Sequence, residues 1–350
     1  MKRNYPVVFF LTLSLALFIN ACTEDSYKVS PKPASLNIDL EAWDARGLGR
    51  IIFYDTKLSL NNSISCASCH KQSNAFSDNV ALSKGFDNQL TVRNSIPIQN
   101  LFSSASFFGP SLFWDGREQS LLEMVLQPLI NHVEMGMGDV DAVVERMRNT
   151  SYYPDLFQTV YGSREINKQG IQAALEAFVR SINSQNSKLM QSENNSNLLN
   201  ALELQGKNLF FDKFNCDGCH NTDISMGYGG GGGSIFSNIG LDLIYNDPGR
   251  QNSTGLQTDN GKFRVPDLSN VGVTAPYMHD GRFQTLDEVL DHYSHSIQPH
   301  VNLDLKLKDQ SGQPIQMNIS NQEKVAIIAF LETLTDHSVL VNPDFSNPFK

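Results

Sequence analysis

The sequence predicts a mainly α-helical chain built from two tandem, related domains. Three observations carry that expectation: two copies of the pattern Cys-x-x-Cys-His, a similar segment ahead of each copy, and stretches with apolar residues at helical spacing. The copies are Cys66-Ala67-Ser68-Cys69-His70 and Cys216-Asp217-Gly218-Cys219-His220. Two thiols on one short turn can each bond a haem vinyl group. The adjacent histidine then serves as axial ligand to the iron, so the pattern marks covalent attachment of a c-type haem. Every cysteine except Cys22 belongs to one of the two copies. A thioredoxin-like pair or half of a zinc site is the competing reading. It lacks support, because each pair has its own histidine and no further cysteine completes a four-sulfur site.

A chain of 350 residues accommodates two domains, one haem to each. With 40% hydrophobic and 18% charged residues it is neither a disordered chain nor a multi-span membrane protein. The formal net charge of −10 disfavours nucleic acid as a partner and suits steering toward a basic redox protein, although acidity also serves solubility.

The N-terminus reads as an export signal over residues 1–21. Lys2 and Arg3 precede an apolar run from Val7 to Ile19, broken by Thr12 and Ser14 and too short to span a bilayer as a helix. The run ends in Ile19-Asn20-Ala21-Cys22, which resembles the lipobox of bacterial lipoproteins, with Cys22 as the lipidated residue; plain cleavage with a free thiol is the alternative. Residues 22–40 form a polar tether, so the expected location is periplasmic, held to a membrane through lipidated Cys22. No other membrane contact is expected.

Ahead of the first haem stands Gly49-Arg50-Ile51-Ile52-Phe53-Tyr54-Asp55, and ahead of the second Gly206-Lys207-Asn208-Leu209-Phe210-Phe211-Asp212. The shared order of Gly, basic, x, aliphatic, Phe, aromatic, Asp points to a duplicated cytochrome c-like domain, with the aromatic pair beside each haem or simply in the core. From His70 to about Asp115 the chain lacks periodicity, as functional loops do. Helices are expected from Glu118 and around Val140 to Met147. Ile171, Ala174, Leu175, Phe178, Val179 and Ile182 then give one buried stripe. The Ser-, Asn- and Gln-rich stretch Asn183 to Asn197 contains the linker, residues 185–197, between domains at 41–184 and 198–350. Gly229 to Gly233 reads as a surface loop, since nothing around it fits a phosphate cradle. Ser320-Asn321-Gln322-Glu323 is a capping-box pattern opening a helix with Val325, Ile327, Ile328, Phe330, Leu331 and Leu334. Little suggests strands.

Beyond the haem patterns, Phe113-Trp114-Asp115-Gly116-Arg117, Val133-Glu134-Met135 and Thr274-Ala275-Pro276-Tyr277-Met278-His279-Asp280-Gly281 resemble the bacterial dihaem cytochrome c peroxidase family, including its MauG-like branch. The resemblance covers roughly Leu48 to Leu334. It implies two cytochrome c-like domains whose haems face the domain interface. The haem on His70 is then peroxidatic, with Glu134 as acid/base toward hydrogen peroxide; a carboxyl beside haem suits that task when burial raises its pKa. Trp114 matches the tryptophan between the two haems. Asn94, Thr274 and Pro276 match an interdomain calcium site of oxygen donors. The haem on His220 becomes the electron-transfer haem, fed by a small cytochrome c or a cupredoxin. Its distal ligand is Tyr293, as in the MauG-like branch, with Met278 as rival; tyrosinate favours ferric iron, whereas a thioether raises the potential. His279 reads as a polar neighbour of the interdomain site. The family also allows a homodimer.

Two departures bear on function. The loop Phe76 to Gln89 contains no histidine to cap the first haem, so that haem is expected to be open without reductive activation. Met124 stands where the family commonly has glutamine, removing a hydrogen-bond donor. His132 stands in place of a proline and is expected to face solvent. Three functions follow in order: a peroxidase, a MauG-like oxidase of partner-protein residues, and an electron-transfer protein without peroxide chemistry.

Overall fold

A computed structural model describes residues 44–101, 111–195, 197–220 and 236–349. The expected signal peptide (1–21), tether (22–40), Cys22 and the Gly229 to Gly233 run lie outside the described residues.

The first lobe is organised by a crossing of two helices. Asp44 caps helix Ala45–Tyr54 by accepting from Gly47 N–H at 2.8 Å, and Leu48, Ile51, Ile52 and Phe53 turn inward. Asn167 likewise caps Lys168–Ser181, which buries Ile171, Ala174, Leu175, Phe178 and Val179 as the spacing predicts. Gly49 sits at the crossing. A Cβ there would lie 1.9 Å from the Ala174 carbonyl oxygen and 2.8 Å from Phe178 Cβ, so only glycine permits this approach.

The second lobe repeats the crossing. Helix Ala201–Asn208 meets Asn321–Glu332, and a Cβ on Gly206 would lie 1.8 Å from the Ala326 carbonyl oxygen and 2.9 Å from Phe330 Cβ. The aromatic pairs match as well: Phe53 and Phe178 ring centroids are 5.1 Å apart, Phe210 and Phe330 5.3 Å. The repeat therefore extends to a second signature, Ala-x-x-x-Phe, on the partner helix of each lobe. The aspartates closing the repeated segment have diverged. Asp55 is buried and accepts from the Tyr152 and Tyr153 hydroxyls at 2.5 and 2.7 Å, whereas Asp212 is exposed.

Among the described residues the architecture is mainly helical, with one two-stranded antiparallel ribbon pairing Phe236 with Arg264 and Ser237 with Phe263. The ribbon matters because it carries Phe263 to Trp114 and Tyr245, a small apolar cluster between the two lobes. The stretch after Glu118 forms two short helices, Leu121–Met124 and Gln127–Ile130, and Val140–Arg148 follows as expected.

Three features depart from the sequence reading. The linker stretch is structured: it holds a short helix, Lys188–Ser192, and Leu189 is fully buried in the second core. Its backbone is fixed by Asn100, which accepts from Ser184 N–H, and by Asp336, which accepts from Gln185 and Asn186 N–H. Val325 is exposed, because the helix Asn321–Glu332 turns that position outward. Finally, the chain runs past this helix and returns to the first lobe. Val339 and Phe345 join the first core, Tyr54 donates to the Phe345 carbonyl at 2.7 Å, and Gln72 donates to the carbonyls of Val339 and Asn342.

Candidate functional site: two haem-attachment turns and a shared seam

Cys66–Cys69 form one helical turn in which Ser65 N–H donates to Ser68 Oγ at 3.0 Å. Cys216–Gly218 form a tighter turn opened by Asn215 in the left-handed region. The four cysteines are partly buried, and burial pushes the Cys66 and Cys216 thiols up to about 12 and Cys69 up to about 11. A redox dithiol is favoured by a lowered thiol pKa, and the shift here runs the other way. Among the described residues no group of three or more His, Cys, Asp or Glu is placed to hold a metal ion.

Each histidine is oriented by a backbone carbonyl. His70 Nδ1 lies 2.9 Å from the Phe76 carbonyl and His220 Nδ1 3.2 Å from that of Pro266. Those bonds place the proton on Nδ1 and leave Nε2 free as a donor to iron. Burial also lowers the pKa of both imidazoles, which favours the neutral form that ligation uses. Ser95, which the sequence reading did not single out, adds a contact at 3.3 Å to His70 Nδ1 while donating to the Cys69 carbonyl.

His70 opens on a cavity of about 560 Å³ whose wall includes Phe53, Cys66, Cys69, Trp114, Met124 and Glu134. That volume lies in the range of cofactor sites. Covalent anchors, a neutral imidazole and an apolar wall together fit a haem; Tyr54, the second aromatic of the repeat, instead bonds the C-terminal tail. Met124 is buried in the cavity wall, and His132 is exposed at its rim as expected.

Glu134 shares this cavity because its loop is clamped. Asn131 Oδ1 accepts from the N–H groups of Val133 and Glu134, and the Glu134 backbone carbonyl accepts from Phe86 N–H at 2.9 Å. Gly85 approaches so closely that a Cβ would lie 1.6 Å from the Val133 carbonyl oxygen. Burial raises the Glu134 pKa, and the Arg117 cation opposes that shift. Arg117 is itself stacked over Phe113 at 3.7 Å and paired with Asp115 at 3.1 Å.

Trp114 is 8% exposed and fixed at both polar ends: Nε1 donates to the Asn94 carbonyl at 2.9 Å, and its own carbonyl accepts from Arg264 N–H at 2.7 Å. It therefore touches both halves of the chain. Asn94 joins them too, since its N–H donates to the His279 carbonyl at 2.7 Å. Its Nδ2 donates to the carbonyls of Val80 and Ala81, which commits the amide nitrogen to the backbone. Thr274 and Pro276 are buried on the segment leading to His279, across a cis Ala275-Pro276 bond. His279 stacks on Phe263 with centroids 3.6 Å apart, and burial pushes its pKa down to about 4.

Tyr293 packs against the apolar cluster of Ile297, Leu303 and Leu307. Burial raises its hydroxyl pKa, and the nearby Cys219 and Cys216 raise it further, which puts the phenol beside the second attachment turn. Met278 is half-buried with φ of 74° and belongs to none of the apolar clusters among the described residues.

A family model described as di-haem cytochrome c peroxidase matches residues 44–196. The chain is 32% identical to the methylamine utilization protein MauG of Methylorubrum extorquens over 295 residues, covering 82% of this chain and 77% of that one. It is equally 32% identical to the cytochrome c551 peroxidase of Nitrosomonas europaea over 313 residues, covering 87% and 83%. A crystal structure of a MauG-like protein associated with microbial copper homeostasis superposes with a TM-score of 0.78 at 30% identity, covering 94% of this chain and 100% of that one. With paired attachment turns on duplicated helix crossings and similarity running through both, the chain belongs to the di-haem cytochrome c peroxidase family.

Proposed function

We propose that this protein is a dihaem peroxidase that reduces hydrogen peroxide to water, H2O2 + 2e⁻ + 2H⁺ → 2H2O, with electrons from a small cytochrome c or a cupredoxin. The observation that carries this is Glu134: a carboxyl of raised pKa, on a loop whose backbone is clamped, in the same cavity as Cys66, Cys69 and His70. When bound there, haem supplies the iron at which the O–O bond is broken and the electrons are delivered. Glu134 takes the proton from one peroxide oxygen and gives it to the departing one, since cleavage without that proton expels a strongly basic oxygen. Burial raises the pKa of this carboxyl, in the direction that favours its taking and giving up a proton, and the Arg117 cation opposes that shift. Trp114 bridges the two halves, and its buried indole offers a π-system for electron passage from the His220 side.

Electrons enter through the haem on His220, with Tyr293 as its distal ligand and Met278 as the alternative. A calcium ion held by Asn94 Oδ1 and by the carbonyls of Thr274 and Pro276 suits the oxygen-donor character of those groups and the join made by Asn94. The two domains run over residues 41–184 and 198–350 in sequence, joined by 185–197, with the tail from Val339 packed back on the first lobe. The protein acts in the periplasm, anchored through lipidated Cys22, as a monomer or homodimer. Steady-state oxidation of a reduced small cytochrome by peroxide tests the reading; a protein carrying both haems that shows no peroxide-dependent oxidation rules it out.

Tyr293 favours a second reading, a MauG-like oxidase of residues in a partner protein, because an anionic oxygen ligand stabilises oxidised haem. In that case peroxide leaves oxidised side chains in the partner, read by mass, and little donor turnover. The third, an electron-transfer role without peroxide chemistry, predicts no cyanide or peroxide binding to either ferric haem.

A further inference from the structure

Three arginines line the cavity at His70: Arg93, Arg117 and Arg264. Two are neutralised by carboxylates. Arg93 pairs with Asp115 and Asp247, both at 2.7 Å, and Arg117 pairs with Asp115. The Arg264 side chain has no hydrogen bond or ion pair among the described residues. Asp267, the one carboxylate acting on it electrostatically, spends its own oxygens on Ser269 and Asn100.

The contrast has a physical cost. A guanidinium withdrawn from water and left unpaired is strongly destabilising, so a position of this kind is kept by an anion that arrives from elsewhere. Desolvation is the largest influence on Arg264, yet part of its surface remains accessible; since the residue lines the cavity, that surface opens onto the cavity. Its backbone is fixed as well. Arg264 pairs with Phe236 in the ribbon and donates its N–H to the Trp114 carbonyl, and Pro266, which orients His220, is two residues further on.

We propose that Arg264 anchors a propionate carboxylate of the haem attached through Cys66 and Cys69, through a charge-assisted hydrogen bond across the cavity wall. This rests on the dihaem reading above. Arg264 is thereby a positioning residue. Its cation offsets a carboxylate charge near the first iron, which favours the ferrous over the ferric state and raises the potential of that haem. Because it sits on the ribbon that contacts Trp114, it also ties the first cofactor to the segment that orients His220.

The test is a spectroelectrochemical titration of purified holoprotein carrying Arg264→Gln or Arg264→Lys, following the two haems by their separate absorption and magnetic resonance signals. Thioether attachment keeps the cofactor in both variants. In R264Q the ratio of reduced to oxidised first haem at a fixed poise falls about tenfold, equivalent to about 59 mV for one electron. R264K restores most of the shift, and the second haem changes less. Unchanged potentials in R264Q with both haems attached would overturn the anchor and leave the dihaem reading intact. Absence of haem on Cys66 and Cys69 in the unaltered protein would instead sink the dihaem reading itself. A wild-type potential that moves on titration with inorganic phosphate would assign Arg264 to a dissolved anion and also overturn the proposal.

Discussion

Replacing Glu134 by glutamine removes an ionisable proton carrier while keeping its size and its place in the cavity. A positioned acid/base contributes roughly 10²- to 10⁴-fold to rate. At about 1.36 kcal/mol per tenfold, that is roughly 3–5 kcal/mol of barrier. The structure places Glu134 at the upper part of that range, because a buried carboxyl in an apolar wall has no nearby substitute carboxyl: Asp115 is committed to Arg93 and Arg117. Stability should move the other way. The folded-state pKa of Glu134 is raised, so its favourable contribution is fully present below the ordinary glutamate value of 4.5 and is lost as pH rises through the raised value. At neutral pH the wild type therefore bears a buried-charge penalty that E134Q lacks, and the variant unfolds at an equal or higher denaturant concentration. The assay is turnover of a reduced cytochrome with saturating peroxide, alongside the ferric spectrum to show two bound haems. The wild-type profile loses activity as pH falls through the Glu134 pKa, and the variant lacks that acid limb. Turnover in E134Q within threefold of wild type, with the acid limb intact, would falsify the assignment.

Gly49→Ala and Gly206→Ala each drive a methyl group into a carbonyl oxygen at a helix crossing, and each should lower stability by about 1–3 kcal/mol or more, read by denaturant unfolding of the holoprotein. A loss under 0.5 kcal/mol at both sites would show that the crossings are looser than the contacts at Ala174 and Ala326 demand. Tyr293→Phe should change the near-infrared and low-temperature magnetic resonance signals of the second haem, whereas Met278→Leu should leave them unaltered. The reverse pattern would transfer the ligand role to Met278.

Much of this molecule is legible in one dimension because its chemistry is local. Thioether attachment needs two thiols and a histidine within five consecutive positions, so Cys66 to His70 and Cys216 to His220 declare themselves without any fold. Periodicity has the same virtue. Asn167 as a cap, the stripe from Ile171 to Val179 and the Ser320 to Glu323 box all depend on residues within a turn or two, and they appear as read. Resemblance extended this to Glu134 and Trp114, whose types alone indicate nothing.

What the linear chain could not supply are relations between distant segments. Gly49 and Gly206 are visible as repeated letters, but their purpose lies in the carbonyls of Ala174 and Ala326, more than a hundred residues away. The stretch 185–197 reads as a linker by composition, yet Asp336 accepts from the backbone N–H groups of Gln185 and Asn186 and Leu189 enters the second core. Similarly, the 337–349 tail is tied to the first lobe by contacts with Tyr54, Gln72 and Phe76. Arg264 is the sharpest case: sequence shows a cation between an aromatic and a valine, and three-dimensional packing shows it lining the His70 cavity without a partner among the described residues while Arg93 and Arg117 are paired. Covalent chemistry and helical period are short-range and so are written into the chain by itself. Burial, charge pairing and the shape of the cavity are sums over residues far apart in sequence, and they exist only once the chain has folded.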